Sequence, residues 1–440
     1  MLHDLPATYL DLYRAPTFIH WLKMKAAMTS ARLFGYWDYP RAGAATNSEE
    51  MTFLDEVYWL YKLARPITTA EKNVSAVVFL RDKSIVKLPD GFKTDASVTI
   101  GAAGDLMPAD GLEYSKDILF EDVADVLFEV DISFANLEGP VTERYLEYRP
   151  GTQSMGFSIA QFPTVAGHRE KYFTALSLAN NHAFDWGTEG LETTQRLFAQ
   201  YGIKDIGTPR NPQEYGRATV LVQAGIKIGF ISATFGLNGL QAPKNEAYRI
   251  HTAQLCSKYA STDLELLKKQ IWDCKKQNCD LIVASLHWGY EFEFFPRGRQ
   301  VEAAHTLIEE GVDLILGHHP HVVQPLEYYC TKRDPNRVAV IAYSLGGLGW
   351  RWYTAPHFAL GMILNLKLAK GVIGGAPRTY IESINPVPVF QSISYKGDIK
   401  LKRIEKLYER PNGLASSHSR RRLERIKQYA DLVLAPRLKN

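Results

Sequence analysis

Cysteine is scarce in this chain. Cys256, Cys274, Cys279 and Cys330 are the only four among 440 residues, and they form neither a C-x-x-C pair nor a zinc-finger spacing. That excludes a disulfide scaffold and fits a reducing compartment or buried thiols. Long apolar runs are missing too: no stretch of about 18 such residues occurs, so no membrane-spanning helix is expected. The opening M-L-H-D-L-P-A-T-Y-L-D-L-Y-R lacks the basic and apolar regions of a secretory leader. A cytoplasmic location is therefore expected, with peripheral membrane association left open. Charge of one sign is lacking as well. Lys+Arg number 51 and Asp+Glu 48, a net +3 that argues globally for neither nucleic acid nor membrane. Hydrophobic residues, by contrast, make up 46% of the chain, enough for more than one small core.

Three regions separate by pattern. Residues 1–95 read as a mainly helical extension, with helices over 16–32 and 47–63 and a short strand over 76–80. Asn47 is the expected N-cap of the second helix, with Glu50 three residues on. Its aromatic face (Tyr58, Trp59, Tyr61) is expected to pack on a neighbouring domain, and no chemistry is apparent in this region. Residues 96–390 alternate strand and helix, the mark of an α/β domain. Strands are expected over 98–102, 131–135, 172–179, 281–286, 312–316, 338–342 and 358–366, with a hairpin pair at 220–222 and 226–231. Helices are expected over 116–128, 188–200, 262–276 and 301–310. Residues 391–440 turn basic and helical. Arg420, Arg421, Arg422, Arg425 and Lys427 suit a solvated helix face, or else an anionic partner such as a lipid headgroup. Few aromatics interleave with them, which argues against nucleic acid.

The chemistry-bearing residues gather where apolar strands end. V-D-L-I-L-G-H-H-P-H (312–321) is the clearest case, three imidazoles following a buried strand at the position where open α/β sheets bind ligands. Four more blocks follow strands: G-D-L-M with Asp105, N-L-E-G-P with Asn136 and Glu138, N-N-H-A-F-D-W-G with Asn181, His182 and Asp185, and H-W-G-Y-E with His287 and Glu291. An Asp or Asn after a strand is commonly only a turn residue. Five such blocks supplying carboxylate, amide and imidazole together suit divalent Mn, Fe, Zn or Mg. Two such ions about 3.5–4 Å apart clamp an in-line displacement at phosphorus.

The order of these blocks, closed by Y-S-L-G (343–346), resembles the CapA family of poly-γ-glutamate capsule synthesis proteins, itself similar to calcineurin-like metallophosphoesterases. The resemblance covers about residues 97–390. It implies a four-layer α/β/β/α sandwich and one or two divalent ions. Asp105, Glu138, Asn181, His287, His319 and His321 would be the ligands, with Glu138 bridging. His182 would contact phosphate or leaving group, while Asp185 and Glu291 would orient imidazoles. His318 is expected to be a loop residue. The chain departs from the phosphoesterase pattern at Met107, where a histidine is usual, and from the CapA pattern at Gly347, where asparagine is usual.

The implied activity is phosphoester hydrolysis by a metal-activated water in capsule or polyglutamate-type polymer metabolism. Amide hydrolysis or transfer on a polyglutamate-like polymer stays open, as does a non-catalytic metal-binding subunit of a synthesis or export complex. The expected partners are an anionic phosphoester or polyglutamate-like substrate, with a membrane or polymer-synthesis complex open.

Overall fold

Residues 18–74, 76–79, 81–145, 155–350, 355–394, 396–408 and 417–434 are described by the structure, a computed structural model. The opening segment, the first residues of the expected helix over 16–32, and Leu80 lie outside them.

Two sheets carry the domain. The first runs in the order β18-β17-β16-β1-β2-β7-β8, with β15 also pairing with β1. Its strands are β1 (Lys93–Leu106), β2 (Ile132–Leu137), β7 (Ala175–Ser177), β8 (Lys204–Ile206), β15 (Gly347–Leu348), β16 (Leu360–Ile373), β17 (Ala376–Ile393) and β18 (Ile399–Arg403). The second runs β13-β14-β12-β11-β10-β9. It comprises β9 (Thr219–Gln223), β10 (Ile226–Thr234), β11 (Leu281–His287), β12 (Leu314–His318), β13 (Leu326–Cys330) and β14 (Val338–Ala342). Among the described residues two short ribbons complete the strands, β3 (Val141–Thr142) with β4 (Phe157–Ser158) and β5 (Gly167–His168) with β6 (Lys171–Tyr172).

Alternation along the strands decides which side chains meet. Ile132 and Phe134 of β2 point between the sheets with Phe230 and Val283 of the second sheet. Phe134 and Phe230 stack at 5.6 Å. Ala135 and Leu137, from the same strand, point outward against Phe162 of α4 (Phe162–Ala166) and Leu191 and Phe198 of α5 (Gly187–Gln200). On the far side α6 (Glu265–Lys276) and α7 (Gly298–Glu310) bury Leu267, Ile271, Ala304 and Leu307 against the second sheet. Parallel strands covered on both faces read as near-continuous apolar runs, which is why their sequence signal is strong. The result is the four-layer α/β/β/α sandwich.

Local differences from the expected elements have physical causes. The strand expected over 76–80 is a 3-10 turn at Ala76–Phe79, and Phe79 packs its ring against Phe295 and Tyr343. Over 116–128 the backbone is helical only as a 3-10 turn at Glu121–Val123 and as α3 (Ala124–Leu127), and Asp117 sits at φ +57. That left-handed residue interrupts any helix begun at 116. The 3-10 turn Ser48–Glu50 is what Asn47 caps, while α2 (Phe53–Ala64) starts later, on a capping box between Thr52 and Asp55. β17 and β18 carry the first sheet past residue 390. Pro386 and Pro388 mask β17 in the sequence, since proline is poor in strand interiors.

Ahead of the domain, α1 (Phe18–Phe34) packs on α2 around Met24, Val57, Leu60 and Tyr61. At the other end the short α8 (Glu405–Tyr408) is followed by α9 (Ser417–Leu434). Ile426, Tyr429, Ala430 and Val433 of α9 join the core between the sheets. Arg421 and Arg425 lie on its outer face, whereas the side chain of Arg420 falls outside the described residues. Among the described residues no helix is long and apolar enough to cross a membrane.

Candidate metal centre

The segment 343–347, Y-S-L-G-G, joins the two sheets at their carboxyl ends. Leu345 donates its amide to Gly317 O of β12 at 3.1 Å, and Asp105 of β1 donates to Gly346 O at 3.0 Å. Both strands carry glycine at the crossing. A Cβ on Gly317 would stand 2.0 Å from Tyr343 O, and one on Gly104 2.0 Å from Gly346 O. Only glycine lets the backbones approach so closely. This pinch brings Asp105, at the end of one sheet, beside His318, at the end of the other.

Around it the strand-end residues converge. Two sets of three side chains bring donor atoms within 4.8 Å of one another: Asp105 with Glu138 and His321, and Glu138 with His287 and His319. Glu138 belongs to both. Its Oε1 lies 3.4 Å from His321 Nε2 and 3.7 Å from His287 Nε2. Asn181 Oδ1 lies 2.7 Å from His287 Nε2, so it joins the second set. His182 and Asp185 stand at the rim, with His182 Nδ1 2.7 Å from Asp185 Oδ2. Glu291 Oε1 is 3.9 Å from His321 Nε2.

The loop that presents the last two imidazoles is strained. His319 has φ +92 and His321 φ +55, on either side of Pro320. Non-glycine residues in that region cost of order 1–3 kcal/mol and persist where the surroundings over-determine them.

The donor set fits cations. Glu138 is fully buried, yet among the described residues neither carboxyl oxygen has a hydrogen-bond partner, and His287 Nδ1, His319 Nδ1 and His321 Nδ1 likewise have no hydrogen bond there. Unpaired buried groups of this kind are rare and costly. Burial, and after it the charges of Asp105 and Glu291, push the Glu138 carboxyl well above the usual carboxylate range. A cation held by these residues would reverse that penalty. Burial also tends to raise Asp105, but the adjacent His318 and His321 hold its carboxyl well below the ordinary range. His287 and His319 are driven well below the usual imidazole value, chiefly by burial. Neutral imidazole is the ligating form.

Several contributors were not anticipated. His318 is the last residue of β12 and not a loop residue; its ring is buried with Nδ1 3.0 Å from Asp105 Oδ1, off the hydrogen-bond axis. The backbone amide of His319 donates to Asp105 Oδ2 at 2.9 Å. Asn136 donates to Asp105 Oδ1 at 2.8 Å, and Asn180 donates to Asn136 Oδ1 at 3.3 Å and to Leu137 O at 2.7 Å. Asn238, in the loop after β10, accepts from Asn181 Nδ2 at 3.0 Å, which turns the Asn181 oxygen toward His287. The doubled Asn180-Asn181 was the one available signal for the asparagine relay; nothing local marks Asn238.

Residues 99–348 match the family model described as bacterial capsule synthesis protein PGA_cap. The chain belongs to this family. It is 30% identical to the capsule biosynthesis protein CapA of Bacillus anthracis over 275 residues, 60% of this chain and 63% of that one. To the PGA biosynthesis protein CapA of Bacillus subtilis it is 29% identical over 238 residues, 53% of this chain and 58% of the relative. The match thus spans less than two thirds of either relative. Among solved structures, calcineurin-like phosphoesterase YfkN from Bacillus subtilis aligns with TM-score 0.37 and 15% identity, over 75% of this chain and 99% of that one. All nine expected site residues of this capsule synthesis family member fall within the matched region.

Proposed function

We propose that this chain is a metal-dependent hydrolase of phosphoester type, acting in capsule or polyglutamate-type polymer metabolism. The observation that carries the reading is the sharing of buried Glu138 by two donor sets. Asp105, Glu138 and His321 would hold one cation, and Glu138, Asn181, His287 and His319 another, with oxygen and nitrogen donors suited to Mn, Fe, Zn or Mg. Bound there, such ions supply Lewis-acid charge and lower the pKa of water.

The side chains at the rim do the rest. Asp185 holds His182 Nδ1, and Met155 N donates to the same Asp185 oxygen at 2.6 Å, so the ring orientation is set. His182 Nε2, which Asn238 Nδ2 approaches to 3.5 Å, is then the nitrogen that would meet an anionic phosphoryl oxygen or protonate a leaving group. Glu291 steadies His321. Burial of the remaining donors keeps water from screening the charges that act on substrate.

The names of the relatives favour a second reading of the same residues: attack on an amide of a polyglutamate-like polymer, or a metal-binding subunit without turnover in a synthesis complex. One panel separates them. Purified protein with added Mn²⁺ is offered phosphomonoesters, phosphodiesters and poly-γ-glutamate, alongside His287→Ala and His321→Ala. Phosphate release lost in both variants supports the first reading, while amide cleavage alone supports the second. Stoichiometric metal without any turnover leaves the subunit.

A further inference from the structure

The extension ahead of the family-matched region reaches into the metal centre. Thr46, buried at 6% exposure, places Oγ1 3.0 Å from His319 Nε2. The segment bearing it is pinned at the two residues just before the contact. Ala45 donates its amide to Asp55 Oδ1 at 3.0 Å, and Ala44 O accepts from Tyr290 OH at 3.2 Å. Phe235 packs against the imidazole, ring centroids 4.6 Å apart. His319 thus touches both Phe235 of the domain and Thr46 of the extension.

Its second nitrogen, Nδ1, is buried and has no hydrogen-bond partner among the described residues. A neutral imidazole carries one proton. On Nδ1 that proton would be buried without an acceptor, at a cost of about 1–3 kcal/mol. On Nε2 it is donated to Thr46 Oγ1. The Nε2–H tautomer therefore wins, and the Nδ1 lone pair is the one left for the donor set that His319 shares with Glu138 and His287.

We infer that Thr46 is a positioning residue for the metal centre, fixing His319 in the tautomer and orientation that present Nδ1 as the ligand atom. The inference rests on the metal-centre reading above. Thr46 lies outside residues 99–348, so this chain adds the contact from its own extension. A second contact of the same origin reaches the other donor set: Trp59 Nε1 donates to Glu291 Oε2, whose carboxyl faces His321.

Mn²⁺ titration by calorimetry tests this on the full chain, with Thr46→Val, Thr46→Ala and Thr46→Ser. Partners that orient ligating histidines are worth 10–100-fold in affinity. Val and Ala should weaken one class of Mn²⁺ site by about that factor, and Ser, which keeps the hydroxyl, should restore it. Thermal melting of the metal-free proteins identifies any variant that fails to fold, and Ala substitutes for Val in that event. Wild-type affinity in a folded Thr46→Val or Thr46→Ala protein overturns the role of Thr46 alone. Wild-type protein that binds no Mn²⁺ overturns the metal centre itself.

Discussion

Glu138 Oε1 and His321 Nε2 face each other across 3.4 Å, and among the described residues no proton donor satisfies either carboxyl oxygen of Glu138. The same oxygen looks toward His287. A carboxylate placed so is the common member of both donor sets, and its loss should be felt by both. Glu138→Gln is expected to lower Mn²⁺ affinity at every site by more than ~100-fold, beyond the effect of an orienting partner. Saturating Mn²⁺ should raise the melting temperature of the wild type and leave the variant unmoved, since a ligand at 100 Kd adds about 2.7 kcal/mol. Calorimetry and thermal melting with and without chelator check both statements.

His182 should separate chemistry from metal binding. It stands at the rim with Asp185 on Nδ1. His182→Ala is expected to cut phosphate release about 10²–10⁴-fold with metal content unchanged. Asp185→Asn should fall between the variant and the wild type. Turnover and elemental analysis on the same preparations decide it.

The extension is tied down by a buried charge cluster. Lys62 Nζ lies 3.0 Å from Glu293 Oε1, and Arg297 meets both Glu293 oxygens at 2.9 Å. Burial raises the Glu293 carboxyl, but Arg297 and then Lys62 outweigh it and bring it down from 4.5 to about 2. A carboxyl depressed on folding stabilises above its unfolded pKa and loses that contribution as pH falls through its folded one. Glu293→Gln should therefore cost about 3 kcal/mol at pH 7, leaving buried Lys62 without its carboxylate and Arg297 with Glu71 at 3.9 Å. The gap in melting temperature between wild type and variant should narrow as pH drops from 4.5 toward about 2.

Gly317 should tolerate no side chain. The obstacle to a Cβ is the backbone oxygen of Tyr343 at 2.0 Å, not a flexible side-chain end. Gly317→Ala is expected to destabilise by ~2 kcal/mol or more and to weaken Mn²⁺ binding, because the His318–His321 segment is displaced with it. Gly202→Ala is the control: nothing lies near its Cβ position, so only its own φ of +71 resists the change. Denaturant melts of both variants supply the comparison.

The sequence alone was enough for the parallel strands and their terminal blocks. Strands buried on both faces must be continuously apolar, and polar residues can follow only where the strand ends. The strand-end blocks that hold Asp105, Glu138, Asn181, His287, His319 and His321 are legible for that reason, while the choice of these six as ligands is implied by the family resemblance. Residues 76–80 and 116–128 were misread because a short apolar run does not reveal whether a neighbour will pair with it, and nothing at Asp117 announces a left-handed backbone.

Tertiary structure decided what no local pattern encodes. Asp105 and His318 are 213 positions apart, and only the close backbone approach allowed by Gly104 and Gly317 sets them 3.0 Å from each other. Thr46 reads as an ordinary hydroxyl before a turn, and Trp59 as one aromatic among several on α2. Their contacts with His319 and Glu291 exist because the Lys62–Glu293–Arg297 cluster and the apolar packing of α2 dock the extension against the strand ends. Periodicity fixes what each segment forms and which face it buries; the surface on which that face lands depends on interactions between residues far apart in the chain.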